Sequence, residues 1–138
     1  MKYNYKAMVL SCIDPRFQPI VYNFLKKKKL TGKYSSFKIA GSAIGVTAGK
    51  FKKWHKPFWD NFDTSIKLHN IKKLIVINHR DCAAAKIING TKEFSEKNET
   101  KVHKNSFRII KKIFKKKYPK LSIELKIISL NSKVETFR

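Results

Sequence analysis

Apolar residues fall along the chain in two patterns, short unbroken runs and helical spacings, and their alternation predicts the order of elements. Ala7-Met8-Val9-Leu10 is an unbroken run of the kind that fills a strand buried on both faces, and it stops at Ser11-Cys12. Phe17, Ile20, Val21, Phe24 and Leu25 then recur at helical spacing. Lysines at 26–29 suit the negative end of a helix dipole and Gly32 follows, so a helix is expected over about 15–30. Residues 35–39 read as a second strand, running into Ala40-Gly41-Ser42 and a stretch punctuated by Gly45 and Gly49, where a long active-site loop is expected.

Phe58, Trp59, Phe62 and Ile66 mark the next helix, begun by Pro57 and closed near Asn70, a residue that tolerates a left-handed cap. Leu74-Ile75-Val76-Ile77 is the third buried strand and stops at Asn78-His79. Ala83-Ala84-Ala85 and Ile87-Ile88 predict a short helix ended by Gly90, and the polar run 91–100 reads as an exposed connection. Phe107, Ile110, Ile113 and Phe114 form the apolar face of a helix ended by Pro119. Ile123, Leu125 and Ile127 alternate with polar residues, the pattern of a half-exposed edge strand. The expected fold is therefore α/β, a mostly parallel central sheet of about four strands with an edge strand and helices on both faces. Such sheets place ligands at the carboxyl ends of their strands.

With 138 residues and 42% hydrophobic content, the chain can bury one core and is too short for two ordinary domains, so a single domain over 1–138 is expected. Its apolar runs are far shorter than the ~20 residues of a membrane helix. Met1-Lys2-Tyr3-Asn4-Tyr5 leads into the first strand without the apolar stretch of a secretory signal. A soluble, cytoplasmic protein with no membrane partner is expected. The formal charge of +23 attracts polyanions at long range. However, arginine occurs only at Arg16, Arg80, Arg108 and Arg138, which leaves 28 lysines among the 32 basic residues. Without clustered arginine forks or stacking aromatics, the charge reads as a solvated surface and no specific nucleic-acid partner is expected.

The only two cysteines are more informative. Cys12 lies just past the first strand and His79 just past the third, so both project at the carboxyl edge of the sheet. Cys82 follows His79 by three positions, a spacing that lets a strand-to-helix turn aim imidazole and thiolate at one point. Two sulfurs and one nitrogen suit tetrahedral zinc and leave a fourth position open. A lone buried cysteine is usually a small hydrophobe, a lone histidine is usually structural, and one disulfide without an export signal is a weak expectation. Convergence of the three favours one zinc ion per chain. His55, His69 and His103 have no matching partners and read as surface or structural residues.

Asp14-Pro15 alone is ordinary helix-start grammar, a capping residue followed by an ideal first helical residue. Arg16 adds to it, since a guanidinium two positions on permits a bidentate grip that keeps the Asp14 carboxylate ionised and fixed. Asp81 reads as a cap for the helix beginning at Cys82. A phosphatase reading of Cys12 and Arg16 fails on spacing, because three residues separate them where the phosphate-cradling loop needs five.

At this point the chain resembles the β-class carbonic anhydrases. Their paired signatures, Cys-x-Asp-x-Arg and His-x-x-Cys, appear as Cys12-Ile13-Asp14-Pro15-Arg16 and His79-Arg80-Asp81-Cys82. Lys38-Ile39-Ala40-Gly41-Ser42 is similar to the family's Ala-Gly turn, and residues 70–79 to its approach to the histidine. The chain departs from the family at Asn78 and Ala83, where glycine is usual, and at Ser42, where asparagine is usual. Only eleven residues precede Cys12, which implies a short member without the amino-terminal helical arm. The resemblance implies reversible hydration of carbon dioxide to bicarbonate by a zinc-bound hydroxide, with Cys12, His79 and Cys82 as ligands. It also implies Asp14 and Arg16 as the catalytic pair, bicarbonate near Ala40 and Gly41, and a homodimer or higher homo-oligomer. The alternatives are a zinc-binding relative without hydratase activity and a hydrolase of another small cumulated substrate.

Overall fold

A computed structural model describes residues 4–138; Met1 to Tyr3, part of the stretch read above for a secretory signal, lie outside the described residues. The strands are β1 (Ala7–Ser11), β2 (Tyr34–Lys38), β3 (Lys73–His79), β4 (Ser122–Ile128) and β5 (Val134–Phe137). They form one sheet in the order β2-β1-β3-β4-β5. The first four run parallel and β5 returns antiparallel along β4. The helices are α1 (Gln18–Lys27), α2 (Ala43–Thr47), α3 (His55–His69), α4 (Ala83–Asn89) and α5 (Glu96–Lys117). The α/β architecture expected from the hydrophobic pattern is therefore the one observed.

The unbroken apolar runs follow from burial on both faces of the sheet. Ala7, Val9, Ile75 and Ile77 face Phe17, Val21 and Leu25 on the α1 side. Met8, Leu10, Leu74 and Val76 pack with Phe58 and Phe62 of α3 and with Phe107, Ile110 and Phe114 of α5 on the other. Aromatic rings cluster on that second side: Phe62 packs against Phe58, Trp59, Phe114 and Tyr118.

Several local expectations are corrected. The helix expected over 15–30 is a 3-10 turn, Pro15–Phe17, followed by α1, which stops at Lys27. It stops there because Lys29 takes a left-handed φ of 60° and Leu30 N–H turns back to the Leu25 carbonyl, closing the helix end. The expected long loop is largely helical, α2 followed by a 3-10 segment, Gly49–Trp54. Gly45 makes that compact turn possible, since a Cβ there would overlap the Ala40 carbonyl oxygen. The run 91–100 is not simply an exposed connection, because α5 begins at Glu96 and Glu99 is buried.

The strand through Ile123, Leu125 and Ile127 is not an edge. As β4 it pairs with β3 on one side and β5 on the other. Its alternation marks one polar face of an interior strand, where Glu124 meets Lys73 at 2.6 Å, Lys126 at 3.7 Å and Lys28 at 3.8 Å. The true edges of the described sheet are β2 and β5.

Candidate metal centre

Parallel pairing of β1 with β3 places Ser11 opposite Ile77, so the chain leaves both strands side by side at their carboxyl ends. Cys12 follows β1 directly, His79 is the last residue of β3, and Cys82 precedes α4. Their two sulfurs and an imidazole nitrogen lie within 4.8 Å of one another. All three residues are buried, and the cysteines are not disulfide-bonded.

The donor set fits a metal ion on details beyond proximity. His79 Nδ1–H donates to the Arg80 carbonyl at 2.7 Å, which leaves the lone pair on Nε2. That Nε2 is buried and has no hydrogen-bond partner, a costly state for a polar atom unless something else occupies its lone pair. The ring is held flat against Phe17, with centroids 4.0 Å apart. Gly41 N–H donates to the Cys12 sulfur at 3.3 Å. Gly41 needs to be glycine twice over: its φ is +81°, and a Cβ would come within 2.7 Å of the Ala84 Cβ.

Without an ion the two thiols titrate as a pair. The hydrogen bond from Cys82 holds Cys12 as a thiolate well below the usual thiol range, against desolvation, with help from His79 and the N–H groups of Asp14 and Gly41. The same bond and desolvation push Cys82 up. Burial opposes protonation of His79, but the neighbouring Cys12 sulfur, the Arg80 carbonyl and the Asp14 charge raise it on balance.

Asp14 caps the 3-10 turn by accepting from Arg16 N–H at 2.9 Å. The Arg16 guanidinium also grips its carboxylate, with Nε 3.1 Å from Oδ1 and Nη2 2.7 Å from Oδ2. These bonds hold the carboxyl below the usual range. Asp14 Oδ2 lies 3.8 Å from His79 Nε2, beside the donor set. Ala40 and Gly41 form the turn against the Cys12 side.

Asp81 does not cap α4 as the sequence suggests. With a left-handed φ of 56° it turns its carboxylate to Arg16 Nη1 at 2.9 Å, and its carbonyl accepts from Nη2 at 3.1 Å. Arg80 ties the same turn to β5 through two bonds to Glu135, at 3.0 and 2.9 Å. His103 is structural as expected but is not without partners: its Nδ1 lies 2.9 Å from Asn78 Nδ2, and its Nε2 lies 3.5 Å from Glu99. His55 Nε2 donates to the Ala48 carbonyl at 2.8 Å, and the His69 ring packs on Tyr5. Sequence reasoning missed Glu99. Its signal was available, since Glu99, His103, Ser106, Phe107 and Ile110 share one face at helical spacing behind Ser95, whose hydroxyl accepts from Asn98 N–H.

A family model described as "Putative carbonic anhydrase" matches residues 2–135. The chain belongs to this carbonic anhydrase family. Curated relatives include an uncharacterized protein of Rickettsia conorii, 27% identical over 130 residues that cover 94% of this chain and 70% of that protein. A second, from Rickettsia bellii, is also 27% identical over 130 residues, covering 94% and 79%. Among solved structures, the fold is similar to that of the β-carbonic anhydrase CcaA, with a TM-score of 0.67 at 15% identity, covering 99% of this chain and 81% of that one. It is also similar to wild-type CafD of Aspergillus fumigatus, with a TM-score of 0.64 at 9% identity, covering 98% and 90%. A tetrameric β-carbonic anhydrase of Sordaria macrospora matches with a TM-score of 0.62 at 9% identity, covering 98% and 81%.

Proposed function

We propose that this family member catalyses the zinc-dependent, reversible hydration of carbon dioxide to bicarbonate. The observation that carries the reading is the unpartnered Nε2 of buried His79, converging with two thiol sulfurs beside an aspartate held by arginine. Cys12, His79 and Cys82 would hold the zinc. When bound there, it supplies the Lewis acidity that makes hydroxide available from water near neutral pH.

The chain's own residues do the rest. Asp14, kept ionised by Arg16, would accept a hydrogen bond from the attacking oxygen at Oδ2 and so aim that oxygen's lone pair at the substrate carbon. Arg16 is itself held by Asp81, which keeps the carboxylate from rotating. We place carbon dioxide and bicarbonate along the Ala40-Gly41 turn, against the Cys12 side of the site.

Two free thiols suit a reducing compartment, which supports a cytoplasmic protein. No helix among the described residues is long and apolar enough to cross a membrane. A homodimer or larger homo-oligomer is the assembly that the open edge at β2 and the tetrameric fungal neighbour support. Stopped-flow carbon dioxide hydration on protein of verified zinc content tests the proposal. Turnover that rises toward alkaline pH is expected. Full zinc occupancy with no hydration from neutral to alkaline pH would exclude the enzyme reading.

A further inference from the structure

We infer that Glu99, with His103 and Asn78, forms a positioning frame that sets the geometry of the Cys12, His79 and Cys82 donor set. The inference rests on the zinc reading above and concerns residues that no sequence signature of the site contains. Glu99 is 5% exposed, Asn78 1% and His103 0%. A carboxylate at that depth is retained only where its oxygens are satisfied, and here each is used. Oε1 accepts from Asp81 N–H at 3.2 Å and Oε2 from Cys82 N–H at 2.9 Å. These two N–H groups belong to the turn that joins His79 to Cys82, in which Asp81 is left-handed. A rigid acceptor pair on consecutive peptide groups fixes their rotation, and with it the direction in which Cys82 leaves the turn.

The frame continues to the other two donors. Asn78 Oδ1 accepts from Ala43 N–H at 3.1 Å, so its amide nitrogen faces α5 and donates to His103 Nδ1 at 2.9 Å and Ser106 Oγ at 3.3 Å. Nδ1 of His103 is then the acceptor, and its Nε2–H points toward Glu99 Oε2 at 3.5 Å, longer than a full hydrogen bond. Asn78 immediately precedes His79, and Ala43 belongs to the turn whose Gly41 donates to the Cys12 sulfur. One buried polar chain therefore holds the main chain at Asp81 and Cys82, includes the residue before His79, and reaches Ala43, two residues past the Gly41 that meets the Cys12 sulfur. It also accounts for Asn78 where the family usually has glycine, because only a side chain with both acceptor and donor can join Ala43 to His103.

The charge argues for positioning rather than for stability alone. The Glu99 carboxylate, set against the turn that carries Cys82, adds negative charge beside the donor set. A dication at the donor set offsets that charge, whereas glutamine would fill the same space without it.

Zinc affinity by competition with a chromophoric chelator, in wild type and Glu99→Gln, tests the inference, with exposed Glu96→Gln on the same helix as control. Glu99→Gln is expected to weaken zinc binding ~10–100-fold and to alter the cobalt(II) absorption spectrum, with Glu96→Gln unchanged. The gap in Tm between zinc-loaded and metal-free protein should shrink as well, where a merely structural residue would lower both temperatures equally. Wild-type affinity and spectrum in Glu99→Gln would overturn the inference while leaving the zinc site standing. Wild-type protein that takes up no zinc overturns both. If Glu99→Gln does not fold, His103→Leu and His103→Gln decide: loss of affinity in the first and recovery in the second supports the frame, and equal wild-type affinity in both overturns it.

Discussion

Arg16 holds both carboxylate oxygens of Asp14, the shortest bond being 2.7 Å from Nη2 to Oδ2, while the same Oδ2 stands 3.8 Å from the lone-pair nitrogen of His79. The guanidinium thus keeps Asp14 beside the donor set rather than part of it. Replacing Arg16 by lysine retains the charge but removes the fork. Arg16→Lys is expected to keep one zinc per chain and to lower carbon dioxide hydration ~10–100-fold, as loss of an outer partner does at other metal sites. Metal analysis alongside stopped-flow kinetics checks this, and wild-type kcat/KM would contradict it.

Acid stability should report on Glu124. Burial opposes its ionisation, but Lys73, with Lys28 and Lys126, holds its carboxyl below the usual range. A carboxyl lowered in the folded state adds stability above its unfolded pKa of about 4.3 and loses it as pH falls through the folded value. Glu124→Gln should therefore lower Tm at pH 7 and show a shrinking difference from wild type as pH drops below about 4. A difference that persists undiminished at low pH would contradict the ion-pair account.

Two glycines separate steric need from mere flexibility. A Cβ at Gly45 overlaps the Ala40 carbonyl, whereas at Gly49 it meets nothing within 4 Å. Gly45→Ala should be strongly destabilising. Gly49→Ala should be neutral or stabilising by up to about 1 kcal/mol through the unfolded chain. Denaturant midpoints distinguish the two, and equal effects would contradict the packing described for the 40–45 turn.

The core should be separable from the chemistry. Phe62 is fully buried among Phe58, Trp59, Phe114 and Tyr118 on the α3 side. Phe62→Ala should cost ~3–5 kcal/mol of stability and leave zinc affinity at 25 °C unchanged while the protein stays folded. A matching loss of zinc affinity would show that the site depends on this ring.

Much of this was legible in the sequence because β1 and β3 are buried on both faces and therefore appear as unbroken apolar runs, each ending on a candidate ligand. Positions just past such runs are specified by topology alone. The position of β4 in the sheet was not legible, because alternation reports that one face is polar and says nothing of how many neighbours a strand has. Lys73 and Lys28, far away in sequence, satisfy the polar face of Glu124. Glu99 was hidden for a related reason. It lies in a polar segment, and only the apolar residues that follow it at helical spacing place it on the inner face of α5. Asp81 shows the limit of local grammar: its place before a helix suggests a cap, yet Arg16, 65 residues away, draws its carboxylate elsewhere.

The most direct test of the central claim is the zinc content of the purified chain beside Cys12→Ser and His79→Ala. The arrangement predicts one zinc per wild-type chain, held by reduced thiols, and its loss in both variants. Wild-type protein that holds no zinc after gentle purification and has its two thiols joined in a disulfide would contradict it.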